Sequence, residues 1–384
     1  METEKLYYED AYLTELTARA LSCEKTGKGG QVVLDRTAFY PEGGGQPADH
    51  GTLGTVRVTD VHEKEGVIVH TCAAPVELGP VTGCIDWARR FDHMQQHSGE
   101  HIISGILCAD YSCDNVGFHM GADAVTIDYN TDISWEQAMA AERKANAVIW
   151  ADRATEVAYP SHEELDRLQY RSKKELTGQV RIVTFPAADC CACCGTHVRR
   201  AGEVGLVKVL SVQKFREGVR MEILCGQRAL EYLGTVYDQD RAVAQALSVK
   251  PEQTAAAVAR LQAELQEVKF RAARFEEAHF ADLAARYAGA GDVLLVQPPM
   301  SSDSARRLAD AVARSSGGLG AVFAGTDGEK YNYALVAADG RDISARVKAL
   351  NAALHGRGGG RNGFAQGSVA AAQAEIEVFF GEVR

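Results

Sequence analysis

Within eight residues, Cys190-Cys191-Ala192-Cys193-Cys194-Gly195-Thr196-His197 offers four thiols and one imidazole. About 90 residues earlier, Asp92-His93-Met94-Gln95-Gln96-His97-Ser98-Gly99-Glu100-His101 places a histidine at every fourth position. Positions four apart share a helix face, so His97 with His101, or His93 with His97, can present two imidazoles to one ion. Neutral imidazole and thiolate both bind zinc, and Cys193-x3-His197 suits a turn that sets both on the same cation. A chain that uses these donors together must fold a helix onto a distant cysteine-rich turn. Four protein ligands are first of all the count of a structural site, since a catalytic one keeps a position open. A helix that merely contains three histidines is the plain alternative. His97-x-x-Glu100-His101 also has the spacing of an inverted zinc-protease motif, in which the glutamate activates water. That reading needs a downstream carboxylate ligand and leaves the cysteines and the glycine runs unexplained.

The rest of the chain is organised around these two pieces. Residues 1–90 read as β, with short apolar runs such as Val67–Thr71 separated by Gly, Pro and Asp. Phe39-Tyr40-Pro41-Glu42-Gly43-Gly44-Gly45-Gln46-Pro47 excludes helix there, and a small barrel or sandwich fits best. Residues 91–247 read as α+β. Helices are expected at His93–Leu107 and at Ser134–Trp150, the second with Ser134 as N-cap and Gln137 closing a capping box. Strands are expected at Val125–Tyr129, Val180–Phe185, Gly205–Val212 and Val219–Leu224. Within 248–288, Val258, Leu261, Leu265, Val268, Ala272 and Phe275 form an a/d seam, which predicts a helix from Pro251 to about Tyr287. One reading packs it along its own chain; the other makes it a coiled-coil arm. Residues 289–384 alternate strand and helix as an α/β domain, interrupted by a glycine-rich loop bearing Arg357 and Arg361.

The formal charge is −11, yet Lys250–Arg384 holds 16 acidic and 16 basic residues, so the whole excess precedes Lys250. That argues against a generic nucleic-acid coat; a polyanion must be met by local basic patches. One such patch is Arg167-Leu168-Gln169-Tyr170-Arg171-Ser172-Lys173-Lys174, where Arg171, Lys173 and Lys174 could meet phosphates. No apolar run approaches the roughly 20 residues of a membrane span, and the acidic N-terminus has no secretory h-region. Ten cysteines then read as thiols or metal ligands in a cytoplasmic protein.

Three motifs together resemble one family. Thr37-Ala38-Phe39-Tyr40-Pro41-Glu42-Gly43-Gly44-Gly45-Gln46, His97-x3-His101 and Cys193-x3-His197 are similar to the barrel and editing domain of alanyl-tRNA synthetases. Gly358-Gly359-Gly360-Arg361-Asn362-Gly363-Phe364-Ala365-Gln366-Gly367 resembles the last synthetase domain, shared with DHH-type phosphoesterases. With no aminoacylation domain ahead of the barrel, the match is to free-standing alanyl-tRNA editing proteins of the long type. Two departures stand out. Cys194 occupies the first glycine of the family's Cys-Gly-Gly-Thr-His, which opens a choice between Cys193 and Cys194 as ligand. Glu100 stands where the family often has a small residue.

The resemblance implies one zinc per chain on His97, His101, Cys193 and His197, and hydrolysis of tRNA-Ala mischarged with serine or glycine. An alanine pocket rejects one added hydroxyl only weakly, and a size sieve cannot remove the larger serine, so a second site must recognise the hydroxyl itself. Thr37, Gln46 and His119 are then expected beside the substrate. If the ion keeps an open position, its bound water attacks the ester. If all four ligands stay, zinc organises the pocket, and Glu100 is a candidate for proton transfer or simply part of a solvated face. Arg357 and Arg361 are expected on tRNA, and a homodimer through 251–287 and the C-terminal domain on the arm. A zinc-containing tRNA-binding module without hydrolysis is the alternative.

Overall fold

The structure is a computed structural model that describes residues 2–27, 29–172 and 178–382. It is a mixed α+β chain in two compact units, Met1–Asp240 and Arg241–Arg384. In the first unit, six strands hydrogen-bond in a closed ring: β1 (Glu15–Thr26), β2 (Gly29–Leu34), β3 (Gly51–Leu53), β4 (Val56–Lys64), β5 (Val67–Cys72) and β6 (Gly79–Ile85), in the order β1-β2-β5-β4-β3-β6. Alternation sends Val32, Leu34, Ile68 and His70 inward, each without measurable exposure.

Helix α1 (Trp87–Tyr111) leaves the barrel, started by Asp86, whose carboxylate accepts from the Arg89 backbone N–H. It runs longer than the expected 93–107 and is buried on nearly every side from His93 to Leu107. Around it lie the sheet of β7 (Asn115–Met120), β8 (Val125–Tyr129), β12 (Val207–Phe215) and β13 (Gly218–Cys225), ordered β12-β13-β8-β7, with helix α2 (Trp135–Trp150). A smaller sheet joins β9 (Glu156–Ala158), β10 (Ile182–Phe185) and β11 (Asp189–Ala192). The Ser134–Gln137 capping box opens α2. Buried Gln96 replaces a missing strand partner: its amide exchanges two 2.8 Å hydrogen bonds with the Cys225 backbone. Barrel and helix are clamped by Arg90, which donates from Nε to both Asp49 oxygens at 2.9 Å with neither side chain exposed.

Helix α3 (Gly226–Ala246) follows, an element the periodicity left unassigned. Helix α4 (Thr254–Ala285) is the expected long arm, preceded by a 3-10 turn at Pro251–Gln253. Among the described residues its seam is open: Val258, Leu261, Leu265, Val268 and Phe275 are 38–73% exposed. Among the described residues, its buried positions are Ala257 near the start and Phe280 and Ala284 near the end. The second unit continues with β14 (Gly291–Gln297), α5 (Ser302–Ser316), β15 (Gly317–Thr326), β16 (Lys330–Ala337), α6 (Ser344–Ala353), β17 (Arg357–Arg361), β18 (Phe364–Val369) and α7 (Gln373–Glu382). Five strands form one sheet in the order β14-β15-β16-β18-β17, with only the β14–β15 pair parallel.

The expected glycine-rich loop is a hairpin instead. Asn362 and Gly363 have φ of 51° and 77°, the two left-handed positions that join twisted strands in a tight turn. Gly358 pairs with Gly367, where a Cβ on the first would strike the Tyr333 hydroxyl and on the second the Tyr333 ring. The glycines therefore serve strand packing under Tyr333. Among the described residues, no helix is long and apolar enough to cross a membrane.

Candidate functional site

The donor atoms of His97, His101, Cys193 and His197 all lie within 4.8 Å of one another. Helix α1 contributes the first two from successive turns. Cys193 and His197 come from the irregular segment after β11, where Arg181 closes the turn by donating from Nη1 to the carbonyls of Cys193 (2.8 Å) and Gly195 (3.0 Å). Gly195 is demanded by proximity, because a Cβ there would collide with the His97 ring.

Each imidazole is oriented from its far nitrogen. His97 donates from Nδ1 to Gln46 Oε1 at 2.9 Å, and the same amide oxygen accepts from the Thr196 N–H while the Gln46 amide nitrogen donates to Thr196 Oγ1. His101 donates from Nδ1 to Asp189 at 2.9 Å, and Arg171 holds that carboxylate with two bonds of 2.7 and 2.8 Å. His197 Nδ1 meets Ser98 Oγ at 3.3 Å. All three Nε2 atoms are thereby turned toward Cys193 Sγ, which is 3.6 Å from that of His97 and 3.3 Å from that of His197. This is how a protein preorganises ligands: outer partners select the tautomer and lock the ring.

Electrostatics agree with the geometry. Burial alone would raise the Cys193 thiol, but the imidazoles of His97, His197 and His101 draw it well below the usual range. Burial would lower His101; the thiolate and Asp189 instead lift it to about 9. His197 is pushed down to about 3, chiefly by burial. An anionic sulfur surrounded by three imidazoles is a donor set that fits a soft divalent cation such as zinc.

His97, His101 and Cys193 line one side of a cleft of about 310 Å³, whose other side includes Tyr7, Tyr8, Tyr40, Pro41 and the Glu42–Gly44 turn of the barrel. Phe118 stacks on His97 at 5.1 Å between centroids. The backbone at Gly45 (φ 86°) passes so close to Phe118 that no side chain fits.

Other anticipated residues sit elsewhere, for evident reasons. His93 is buried but outside the ligand group, and burial among Arg89, Arg228 and Arg90 holds it near 3. Cys194 is exposed in the cleft wall, outside the group. Glu100 is neither solvated nor in the cleft. It is fully buried and accepts from Ser104 (2.8 Å) and Asn115 (2.5 Å). Strand alternation turns Phe118 toward His97 and so turns exposed His119 the other way. Thr37 lies inside the barrel, its hydroxyl 2.8 Å from His70 Nε2. Arg171 is engaged by Asp189 rather than offered to phosphate. Lys173 and Lys174 fall outside the described residues. Arg357 and Arg361 are exposed and, four apart on β17, share a face of the edge strand. Sequence reading passed over Asp189 and Tyr8. Asp189 precedes the cysteine run like any strand residue, and only its convergence on His101 and Arg171 marks it.

Two segments match family models: residues 2–89 that of class II (A) tRNA synthetases, and residues 180–220 the second additional domain of threonyl- and alanyl-tRNA synthetases. The alanyl-tRNA editing protein AlaX-L of Pyrococcus horikoshii is 35% identical over 249 residues, which is 61% of this chain and 60% of that protein. An alanyl-tRNA editing protein of Xenopus laevis is 34% identical over 273 residues, 66% of each. An alanine–tRNA ligase of Pyrobaculum neutrophilum is 32% identical over 396 residues, covering 95% of this chain and 42% of the ligase. The chain thus spans about two thirds or less of these relatives.

Proposed function

Because the chain belongs to the family of alanyl-tRNA editing proteins, which resemble alanyl-tRNA synthetase, we propose that it is an aminoacyl-tRNA deacylase acting in trans. Its substrate is tRNA-Ala carrying serine, with glycine second. The observation that carries this reading is the convergence of His97, His101, Cys193 and His197, the first three of which line one side of an open cleft.

These four residues would hold one zinc, whose charge would polarise an ester or anchor the substrate's amino group. Gln46 and Asp189 keep the Nε2 atoms of His97 and His101 aimed inward. Tyr7, Tyr40 and Pro41 limit water on the opposite wall. Alanine is spared because cleft groups that pair with the serine hydroxyl are left unpaired when alanine enters. Arg357 and Arg361, in the electrically neutral C-terminal part, add contacts to tRNA phosphate, and the exposed α4 seam supports a homodimer. Acting on tRNA, it would work in the cytoplasm.

The test is deacylation of purified Ser-tRNA-Ala, Gly-tRNA-Ala and Ala-tRNA-Ala, with metal analysis of the same preparation. Hydrolysis of the first two with Ala-tRNA-Ala spared is expected. Equal hydrolysis of all three would deny editing. Binding with zinc present but no turnover would leave the non-catalytic tRNA-binding module, the reading that a closed set of four ligands favours.

A further inference from the structure

We propose that Cys108 and Cys113, at the far end of the ligand-bearing helix, form a modification site at which a peroxide joins the two thiols in a reversible disulfide. The inference lies beyond the deacylase reading and does not depend on it.

The way α1 ends builds the pair. Its last helical residue is Tyr111, and Ser112 then takes the left-handed conformation, with φ of 50° and ψ of 43°. A left-handed residue at that point folds the chain back, so that the residue after it packs on the one three places before the helix's last. Those two residues are Cys113 and Cys108. Cys113 belongs to the core of the domain, and Cys108 packs against that core. Their thiols hydrogen-bond to each other, and all ten cysteines of the chain are unbridged. Among the described residues, neither of the two belongs to a group of donors that could hold a metal.

The two sulfurs are not equivalent. Cys113 is 3% exposed, whereas Cys108 is half-buried beside exposed Ala109 and Asp110, which gives a small oxidant access. The bond from Cys113 draws the Cys108 thiol below its usual range, and the Arg171 guanidinium and the Asn115 backbone N–H act in the same direction. The same bond, together with burial, pushes Cys113 up. The thiolate is the nucleophile, so Cys108 attacks and Cys113 resolves.

The Cys108 thiolate attacks one peroxide oxygen, the O–O bond breaks, and the departing hydroxide takes up the proton that Cys108 released. The Cys113 sulfur then attacks the sulfenic acid, the S–O bond breaks, and the second hydroxide leaves as water with the Cys113 proton. Two thiols are oxidised to one disulfide while hydrogen peroxide is reduced to two waters. A dithiol reverses the change by exchange. Cys108 lies two turns beyond His101, roughly 10 Å along the helix. The disulfide carries no charge, so Arg171 keeps its two bonds to Asp189 and the ligand cluster stays intact.

The test treats the full chain as isolated, its metal content already measured, with an equimolar amount of hydrogen peroxide, then with iodoacetamide and trypsin. Cleavage after Arg90 and Arg143 releases residues 91–143, a peptide whose only cysteines are these two. In the oxidised parent this peptide should escape alkylation and be lighter by two hydrogen atoms. Dithiothreitol should restore both thiols, and metal content should not change. In Cys113→Ser, Cys108 should be trapped by dimedone as the sulfenic acid; in Cys108→Ser, Cys113 should stay reduced. The parent carries the main reading, so the proposal is answered even if a Cys113 variant fails to fold. A peptide still alkylated at both cysteines, while residues 190–194 are oxidised and metal is lost, would overturn it. So would oxidation of Cys113 in Cys108→Ser as fast as the parent reacts, since Cys108 would then have no part in the attack.

Discussion

In the Met1–Asp240 unit the chemically distinctive side chains are enclosed and partnered. His97, His101 and His197 each have an anchor on the far nitrogen, and Asp189 itself is held by Arg171. In the Arg241–Arg384 unit the distinctive side chains face solvent: the α4 seam, and Arg357 and Arg361 on an edge strand. Enclosure lets a site hold its geometry without a ligand. Exposed apolar and cationic groups gain most of their free energy only when something covers them. The first unit is thus suited to chemistry and the second to association, and substitutions in them should fail in different ways.

The largest effect is expected from Cys193→Ala. It removes the only anionic donor of the cluster, and metal content should fall from about one ion per chain to near zero by elemental analysis. Undiminished zinc would move the ligand to Cys194 or the site elsewhere. Asp189→Asn keeps the shape but loses the charge that orients His101 and pairs Arg171. Zinc affinity measured against a competing chelator should weaken roughly 10- to 100-fold. Unchanged affinity would mean that the outer partners are passive.

A pH experiment probes the enclosed barrel of the same unit. Burial lowers His70 to about 4, below its unfolded value near 6.5. The neutral ring is the folded form, so this contribution is complete above pH 6.5 and is lost as pH falls toward 4. Denaturant titrations should register a loss of up to about 3 kcal/mol across that window. A flat profile would show that His70 is reached by water.

The smallest effect should come from the second unit. Replacing both Arg357 and Arg361 by Gln should leave zinc and fold stability unchanged, since both are exposed. It should flatten the salt dependence of tRNA binding by about two units of slope, read by filter retention at several salt concentrations. An unchanged slope would assign β17 to folding alone.

Local patterns carried much of this in advance. Val125–Tyr129, the Ser134–Gln137 capping box, a long helix beginning near Pro251 and the two donor-rich motifs are short-range signals, set by spacing, caps and side-chain chemistry. Spacing left open which histidine pair and which cysteine converge. Position along the chain says nothing about which face a strand residue takes or what lies across from it. His119 and Phe118 are neighbours, yet pleating sends one to solvent and the other onto His97. Arg171 reads as a phosphate ligand until Asp189, 18 residues on, is folded against it. The glycine run at 358–360 reads as a loop until β18 and Tyr333 close over it as a strand. Helix periods and ligand types are encoded within a few residues, whereas facing, pairing and burial arise only when distant segments compete for the same partners, and that competition is resolved by packing.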